Sequence, residues 1–385
     1  MGTYLNPGNR VFAEKIGPDY VDKTGLIGLI NRTVGTSKKL TCISRPRRFG
    51  KSYAAQMLCA YYDKSCDSHV LFRNCKIVKN ESYEQHINKY DVIYLDMTNL
   101  LGNVVPEQLI TFITANVTRE LLKEYPKIER GNTFDQTLIN AVEFTGNRFI
   151  MIIDEWDAPI RETPEIEKKY LRFLRMLFKS SGTTSKIFAA VYMTGILPIK
   201  KDGSQSAISD FEEYTMLDPM AFAEYVGFTE SEVRNKCEEY HRDFKNMKRW
   251  YDGYTVGEQH SVYNPYSVMK AISSGKYKSY WKKTSAAETL ITYIDMDMEG
   301  LQEDIARLIA GEEIVVDTDS FQNDVSTFTS KDDVLTLLIH LGYLTYEEVS
   351  DSYCDEDENL TGLARIPNEE VRMEFENLFT EVNQK

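Results

Sequence analysis

The sequence is poor in the residues that build metal clusters and disulfide frameworks. It contains five histidines and six cysteines in 385 residues. No two cysteines form a Cys-x-x-Cys pair and no His/Cys cluster is visible, so a zinc site is not expected. The scatter of the cysteines through apolar segments indicates reduced thiols in a cytosolic protein.

Long apolar runs are also missing. No run approaches the roughly 20 residues that a membrane-spanning helix needs. The first 15 residues, MGTYLNPGNRVFAEK, have no apolar core of the kind found in secretory signal peptides. A cytoplasmic protein without membrane association is therefore expected.

Basic residues are fewer than acidic ones. The chain has 45 Lys and Arg against 59 Asp and Glu, a formal net charge of −14. Proteins that coat nucleic acid normally carry a basic field, so the overall charge does not support that role. Nucleic acid stays open as a partner only through local basic patches.

Short apolar runs alternate with longer helical patterns in the first half of the chain. The strand candidates are residues 40–44, 92–97, 149–154 and 187–195, with a shorter one at 213–217. Their nearly continuous apolar character is typical of parallel strands that are covered on both faces. The sequence therefore predicts an α/β fold, a parallel sheet with helices on both faces.

The pattern changes after Asp218-Pro219. The rest is mostly helical, with an aromatic hairpin from Trp250, one strand-like run near residue 345 and an acidic loop at 351–359. We predict two domains: an α/β domain over residues 1–218 and a mainly helical C-terminal domain over residues 219–385. A winged-helix-like arrangement is one form that the second domain could take.

The segment SRPRRFGKS, residues 44–52, lies between the first apolar strand and a helix. This is the context of a phosphate-binding loop, because a helix N-terminus offers unpaired N–H groups and positive partial charge to an anion. Lys51 would reach the β- and γ-phosphates, Ser52 would ligate Mg²⁺, and Gly50 would let the backbone approach closely. Arg45 replaces the first glycine of the G-x-x-x-x-G-K-[ST] consensus, so an ordinary basic turn remains the alternative for this segment alone.

A second motif, Asp154-Glu155, ends another apolar strand further along the chain. In a Walker B strand the aspartate holds the magnesium ion and the glutamate activates the attacking water. The C-terminal edge of an α/β sheet is where such ligands bind. Taken alone, an Asp-Glu pair after a strand is as often a solvated strand end.

The order of the strands links these two motifs. The run 92–97 separates them in sequence, and the run 187–195 follows the second. P-loop enzymes with a catalytic glutamate insert a strand between the two motif-bearing strands and place a polar sensor on the next one. Thr194 occupies the sensor position, with a turn residue before Gly195 as the alternative. The three features together predict a P-loop nucleoside triphosphatase.

With these residues in place, the chain closely resembles the bacterial AAA-ATPase-like proteins, which often carry a PD-(D/E)XK nuclease-like region at the C-terminus. RPRRFGKS at 45–52 and WYDGY at 250–254 are the specific markers. The supporting segments are YVDKTGLI (20–27), IIDEWDAPI (152–160), residues 194–219, YNPYSV (263–268), LLIHLGYLTY (337–346) and IPNEEV (366–371). No Asp…Glu-x-Lys set on paired strands is visible after residue 219, so nuclease activity is not expected.

The resemblance implies roles for individual residues. The family's Arg-Pro-Arg-Arg loop matches this sequence position for position and explains the missing glycine. Lys51 and Ser52 become the phosphate and magnesium residues, and Asp154 and Glu155 become the Walker B pair. The expected nucleotide-contacting residues are Arg45, Pro46, Arg47, Arg48, Phe49, Gly50, Lys51, Ser52 and Tyr53.

Some groups keep two interpretations. Arg47 and Arg48 would either neutralise phosphate charge in the transition state or pair with acids of the neighbouring domain. One helix face carries four basic residues, and it is either a solvated face or a source of an arginine finger or nucleic-acid contact. These residues are Lys168, Arg172, Arg175 and Lys179.

An aromatic group in the second half is expected in packing between the domains, with a platform for stacking bases as the alternative. Its members are Trp250, Tyr251, Tyr254 and Tyr263.

The sequence thus predicts a nucleotide-dependent switch that binds ATP and Mg²⁺ and hydrolyses ATP. Glu155, Lys51, Thr194 and Arg48 are the expected catalytic residues. A non-hydrolysing ATP-binding scaffold and a nucleic-acid-associated factor of defence or mobile-element biology are the alternatives. A protein partner or a homo-oligomer is compatible with each of these.

Overall fold

The computed structural model describes most of the chain, in two compact units. The described residues are 2–179, 181–199, 201–202, 205–206, 208, 210–281, 298–319, 321–323, 328–349 and 361–382. The first unit comprises Met1–Ser44 and Lys51–Tyr214, and the second comprises Arg45–Gly50 and Thr215–Lys385. The acidic loop expected at 351–359 lies outside the described residues.

The units separate between Tyr214 and Thr215, and the loop Arg45–Gly50 groups with the second unit. A single domain boundary near residue 218, as expected from the sequence, does not assign this loop to the second unit. The assignment of residues 1–218 and 219–385 to two domains stays a prediction.

The first unit is built on a five-stranded sheet with the strand order β2-β3-β4-β1-β7. Its strands are β1 (Leu40–Ser44), β2 (Val92–Asp96), β3 (Phe149–Asp154), β4 (Phe188–Gly195) and β7 (Glu212–Tyr214). All four pairings in the sheet are parallel. The predicted parallel α/β sheet is confirmed, and in it β4 lies between the two motif-bearing strands, β1 and β3.

Every residue of β1, β3 and β4 is buried, so both faces of the central sheet are covered. The short strands β5 (Lys201–Asp202) and β6 (Gln205–Ser206) form a separate antiparallel pair.

The helices of the first unit surround this sheet. They are α1 (Arg10–Ala13), α2 (Gly25–Asn31), α3 (Lys51–Tyr62), α4 (His69–Phe72), α5 (Tyr83–His86), α6 (Met97–Asn103), α7 (Leu109–Glu124), α8 (Phe134–Thr145), α9 (Ala158–Glu162), α10 (Glu167–Phe178) and α11 (Ser181–Ile187). Single 3₁₀ turns occur at Lys76–Lys79, Pro106–Gln108 and Pro164–Ile166.

Local sequence explains several of these helices. Thr133 caps the N-terminus of α8 by accepting a hydrogen bond from the Gln136 amide, and Gly146 ends the helix with a φ of 70°. In α10 the apolar side chains are buried except for the half-buried Met176, whereas Lys168 and Arg172 are exposed. The basic face of α10 is therefore open to solvent, and its apolar face joins the core around the sheet.

The second unit contains two three-stranded antiparallel sheets, with the orders β8-β10-β9 and β11-β13-β12. Their strands are β8 (Phe228–Thr229), β9 (Tyr254–Val256), β10 (Gln259–Tyr263), β11 (Ile314–Asp317), β12 (Thr345–Glu348) and β13 (Thr361–Arg365). β9 and β10 form the hairpin that the aromatic segment predicted.

The helices of the second unit make up most of its regular structure. They are α12 (Glu230–Glu239), α13 (Phe244–Tyr251), α14 (Pro265–Ser274), α15 (Leu301–Ile309), α16 (Lys331–Leu341) and α17 (Glu369–Val382), with a 3₁₀ turn at Met220–Phe222. Before α17 the described elements follow the order α15-β11-α16-β12-β13. Among the described residues, no helix of either unit combines the length and apolar character needed to cross a bilayer.

Two helix starts in this unit follow directly from the sequence. Thr229 and Glu232 form a capping box at the start of α12. Asn264 accepts hydrogen bonds from the amides of Tyr266 and Ser267, and Pro265 is the first residue of α14.

A separate apolar cluster forms the core of helices α12, α13 and α14. Tyr251 and Tyr263 are members of it and are fully buried. Tyr254 is also buried, with its hydroxyl donating to the Gly342 carbonyl at 2.8 Å. These rings are therefore packed inside the second unit, and their faces are not available for stacking on bases.

Candidate nucleotide site

The carboxyl ends of three adjacent strands meet at one edge of the first unit's sheet. The last residues of β1 and β4 pair with each other. On the other side of β4, β3 runs parallel with Ile153 beside Met193. The residues that follow, Asp154 and Thr194, therefore lie next to each other at the edge where α/β proteins bind ligands.

Asp154 is buried and hydrogen-bonded by two hydroxyls. Thr194 donates from Oγ1 to Asp154 Oδ1 at 2.5 Å, and the Ser52 side chain at the start of α3 makes the second hydrogen bond. Burial raises the pKa of Asp154, and the charges of Glu155 and Asp96 raise it further, against the effect of both hydroxyls. The site therefore favours a positive charge beside this carboxyl group.

Glu155 lies between two cations. Its Oε1 is 3.4 Å from the Lys51 ammonium, and its Oε2 accepts a hydrogen bond from Arg161 Nη2 at 3.2 Å. The Lys51 side chain is only 3% exposed. An ion pair so far from solvent is screened little, so it holds both side chains in place.

The backbone around Glu155 is strained. Glu155 has a φ of 54°, a left-handed conformation that costs a non-glycine residue on the order of 1 kcal/mol or more. Its amide donates to Thr194 Oγ1 at 3.2 Å, and the next amide, of Trp156, donates to the Thr194 carbonyl at 2.8 Å. Thr194 thus fixes both the carboxylate of Asp154 and the turn that presents Glu155.

Two residues that the sequence analysis missed complete this network. Arg161 donates from Nε to Asp157 Oδ2 at 2.8 Å. The same Asp157 oxygen accepts hydrogen bonds from the amides of Ile196 and Leu197, both at 3.1 Å. The four-residue spacing of Asp157 and Arg161 on a helix is the signal that could have indicated this pair.

Lys15 was also missed. Burial lowers its pKa, and the charges of Asp154 and Asp96 offset part of that effect. Its ammonium lies 4.3 Å from the centre of the Tyr53 ring. Tyr53 itself is 49% exposed, so one of the sequence-predicted nucleotide residues offers an accessible ring beside a cation.

The side chains of the loop Arg45–Gly50 make their contacts within the second unit. Arg45 is fully buried and donates from Nη1 to the Thr215 carbonyl at 2.7 Å. Pro46 packs so closely on Gly342 that a Cβ at that glycine would lie 2.7 Å from Pro46 Cβ. The Arg47 carbonyl accepts a hydrogen bond from Asn264 Nδ2 at 3.4 Å.

The second half of the loop is anchored by aromatic residues. Arg48 has a φ of 69° and donates from Nη1 to the Tyr280 carbonyl at 2.7 Å. Its guanidinium also lies 4.5 Å from the centre of the Tyr266 ring. Phe49 is buried edge-to-face on Tyr254, with 5.1 Å between ring centres.

Gly50 has a φ of 94°, a conformation for which glycine is suited, and a Cβ added there would meet open space.

The structure brings five sequence-predicted residues together in the first unit: Lys51, Ser52, Asp154, Glu155 and Thr194. In the predicted loop, the side chains of Arg45, Arg48 and Phe49 contact residues of the second unit.

A family model covers the residues of this cluster. The model described as "Predicted AAA-ATPase" matches residues 13–204. The chain belongs to the AAA-ATPase-like family. The match includes strands β1, β3 and β4 of this AAA-ATPase-like protein, and it says nothing about a nuclease-like region.

Solved structures resemble this AAA-ATPase-like chain only distantly. The Aeropyrum pernix ORC2 protein in its ADPNP–ADP complexes matches at 12% identity and a TM-score of 0.40, with 98% of each chain covered. The ADP form of that protein matches at 14% identity and a TM-score of 0.38, again over 98% of each chain. The Aeropyrum pernix ORC1 protein in complex with DNA matches at 10% identity and a TM-score of 0.30, over 99% of this chain and 98% of that chain. Likenesses at this level say nothing about ligands or partners, and no curated protein matches the sequence.

Proposed function

We propose that this protein is a cytoplasmic ATPase that binds ATP with Mg²⁺ at the edge of the first unit's sheet. One observation carries the proposal. The Lys51 ammonium, the Ser52 and Thr194 hydroxyls and the carboxyl groups of Asp154 and Glu155 form one connected set of ion pairs and hydrogen bonds. These are the groups that P-loop enzymes use to hold a triphosphate, its metal ion and the attacking water.

Asp154 and Ser52 fit a magnesium ion. Their hydrogen bond sets a carboxylate oxygen and a hydroxyl oxygen side by side, and both are ligands that Mg²⁺ accepts. Burial of Asp154 makes its negative charge costly, and a cation would offset that cost. When bound, the ion would neutralise charge on the phosphates.

Lys51 and Glu155 would change partners when ATP binds. Phosphate oxygens carry more negative charge than one carboxylate, so they would compete for the Lys51 ammonium. Glu155 Oε1, which lies 3.4 Å from Lys51 Nζ, would then be available to accept a proton from water. Thr194 would keep Asp154 and the Glu155 turn in their relative positions throughout.

The loop Arg45–Gly50 supports the idea of a switch. Its backbone amides lead directly into Lys51, and we propose that the amides of residues 45–53 surround the phosphates. The loop's side chains pack within the second unit. A nucleotide that orders the loop backbone would therefore change the stability of the second unit, which is the physical basis of a nucleotide-dependent switch.

Two substitutions test the site. Lys51→Ala is expected to weaken ATP binding by at least about 2 kcal/mol, or roughly 30-fold in Kd, because it removes one partner of a desolvated charge pair. Glu155→Gln is expected to preserve binding and to lower turnover by roughly 10²- to 10⁴-fold, because it removes the proton acceptor. Titration calorimetry with ATP–Mg²⁺ and a phosphate-release assay measure the two effects.

Lys38→Ala is the matched control, since Lys38 is exposed and lies before β1. It should bind and hydrolyse ATP like the unmodified protein. If Lys51→Ala and Glu155→Gln both bound ATP with unchanged affinity and turned it over at the unmodified rate, the site would be assigned to the wrong residues.

A second candidate is an ATP-binding scaffold that recruits a protein partner without hydrolysis. The observation that favours it is the pairing of both Glu155 oxygens, one with Lys51 and one with Arg161. A carboxylate that stays paired with two cations is a weak base. Phosphate release measured over a range of ATP concentrations separates the candidates, because a scaffold saturates with ATP and releases none.

A nucleic-acid role is less well supported. In a winged helix the helix before the last two strands enters the DNA groove. Here that helix is α16, and its residues 333–340 are all buried. The net charge of −14 adds no attraction for phosphate.

A further inference from the structure

Arg161 occupies a position that the proposed chemistry has not used. It is the fourth residue of α9, the short helix that follows the turn Glu155–Asp157. Its side chain is 14% exposed and pairs with three carboxylates: Asp157 Oδ2 at 2.8 Å, Glu155 Oε2 at 3.2 Å and the more exposed Glu162 Oε1 at 3.6 Å. Burial opposes its charge, but Asp157 and Glu155 together raise the pKa of Arg161.

The Asp157 and Glu155 carboxylates differ in how firmly they are held. The Asp157 carboxylate is almost fully buried and accepts hydrogen bonds from the backbone amides of Ile196 and Leu197, just after β4. The Glu155 carboxylate is 20% exposed and forms ion pairs with Lys51 and Arg161. Asp157 therefore holds the Arg161 side chain in place, and Arg161 in turn holds the Glu155 carboxylate.

The approach of β4 to this turn is very close. A Cβ on Gly195 would lie 2.5 Å from Trp156 Nε1 and 3.0 Å from Asp157 Oδ1. The end of the sensor strand therefore sets the position of Asp157 directly, without an intervening side chain. Two side chains, Asp157 and Arg161, connect the backbone after β4 to the Glu155 carboxylate through hydrogen bonds.

We infer that Arg161 is a positioning residue that holds Glu155 ready to accept a proton from water during ATP hydrolysis. The inference rests on the proposed function. Once the phosphates draw Lys51 away, Glu155 loses one of its two cations. Arg161 then keeps Oε2 in place, which leaves Oε1 directed at the position that Lys51 has left. Without Arg161 the carboxylate would lose the hydrogen bond that orients Oε2.

The expected effect is on turnover rather than on binding. A misplacement of about 1 Å at a reacting group costs on the order of 10²-fold in rate. Arg161→Ala should therefore lower kcat by roughly 10- to 100-fold and leave the Kd for ATP within about twofold. Arg161→Lys keeps the charge but not the forked geometry, so it should recover part of the rate. Arg119→Ala on α7, an exposed arginine, is the matched control and should leave the rate unchanged.

The decisive measurement is a double-mutant cycle of Arg161→Ala with Glu155→Gln, using single-turnover ATP hydrolysis together with calorimetry. If Arg161 acts through Glu155, the double variant is no slower than Glu155→Gln alone. The inference is overturned if Arg161→Ala keeps the full rate, or if its loss multiplies that of Glu155→Gln. It is equally overturned if Arg161→Ala acts by weakening ATP binding more than tenfold. An unmodified protein that binds ATP without any hydrolysis refutes the proposed function instead.

Discussion

Glu370 should make the second unit less stable as the pH rises through the neutral range. The residue is 1% exposed and lies in the first turn of α17. Its carboxylate accepts hydrogen bonds from the Tyr280 amide at 2.7 Å and the Ser267 hydroxyl at 3.0 Å. Burial raises its pKa from 4.5 to about 7, although these hydrogen bonds, one from the Trp281 amide and the charge of Arg48 lower it.

The magnitude follows from the difference between the two pKa values. A group that binds its proton more tightly in the folded state stabilises that state below its unfolded pKa, and this stability is lost as pH rises through the folded pKa. A difference between 4.5 and about 7 corresponds to about 3 kcal/mol in all. Roughly 2 kcal/mol of this falls between pH 5.5 and 8.5, a range in which ordinary carboxylates stay ionised.

Glu370→Gln removes the titration. The amide places an NH₂ group opposite the Trp281 amide, so the variant loses about one hydrogen bond, or about 1 kcal/mol, at every pH. The difference in stability between the variant and the unmodified protein should nevertheless move by about 2 kcal/mol in favour of the variant between pH 5.5 and 8.5. Effects of all other titrating groups cancel in this difference.

Hydrogen exchange of the backbone amides in α14 and α17 is the appropriate assay, because it reports the opening free energy of the second unit by itself. Glu369→Gln is the matched control: its carboxylate is 31% exposed, on the same helix turn. A constant difference across the pH range for Glu370→Gln would refute the reasoning, since it would mean that this carboxyl group does not titrate there.

Two further substitutions concern the C-terminal end of β4. Gly195→Ala should lower the free energy of unfolding of the first unit by about 1–3 kcal/mol, because its Cβ would lie 2.5 Å from Trp156 Nε1; an unchanged urea midpoint would contradict this. Thr194→Val should lower the unfolding free energy by about 1–3 kcal/mol and reduce ATP turnover, because it removes the hydroxyl that binds Asp154 and the Glu155 amide. Thr194→Ser should restore most of both quantities, and a Ser variant as impaired as the Val variant would argue against the hydroxyl as the cause.

Much of the first unit could be predicted from the sequence, because the physical signal there is local. Continuous apolar runs mark strands buried on both faces, and the predicted runs 40–44 and 149–154 coincide with β1 and β3. The run 187–195 differs from β4 by one residue at its start. The Thr229–Glu232 capping box and the Asn264 cap were predictable for the same reason, since each joins residues within one helical turn.

Contacts that depend on long-range packing could not be predicted in this way. The four-residue spacing of Asp157 and Arg161 could have indicated their pairing, but the contact of Arg161 with Glu155 depends on a left-handed residue at the strand end. Nothing in the local sequence requires that conformation of Glu155. Likewise, the partner of the Arg48 guanidinium, the Tyr280 carbonyl, lies 232 residues away in sequence.

The loop Arg45–Gly50 shows why the usual first glycine can be absent here. A glycine is needed only where the backbone is left-handed or closely approached, and among the described residues Arg45 is not one with a positive φ. The left-handed positions are Arg48, at 69°, and Gly50, at 94°. Arg48 is held in that conformation by the Tyr280 carbonyl and the Tyr266 ring, whose contacts offset the local strain.

The arginine at position 45 therefore contributes something that a glycine would not. Its buried guanidinium fixes the start of the loop on the Thr215 carbonyl, the first residue of the chain after the first unit's last strand. A glycine there would leave that buried carbonyl without this donor and would free the loop backbone. The departure from the consensus is thus explained by the packing of the loop within the second unit, where the Arg45 guanidinium binds the Thr215 carbonyl.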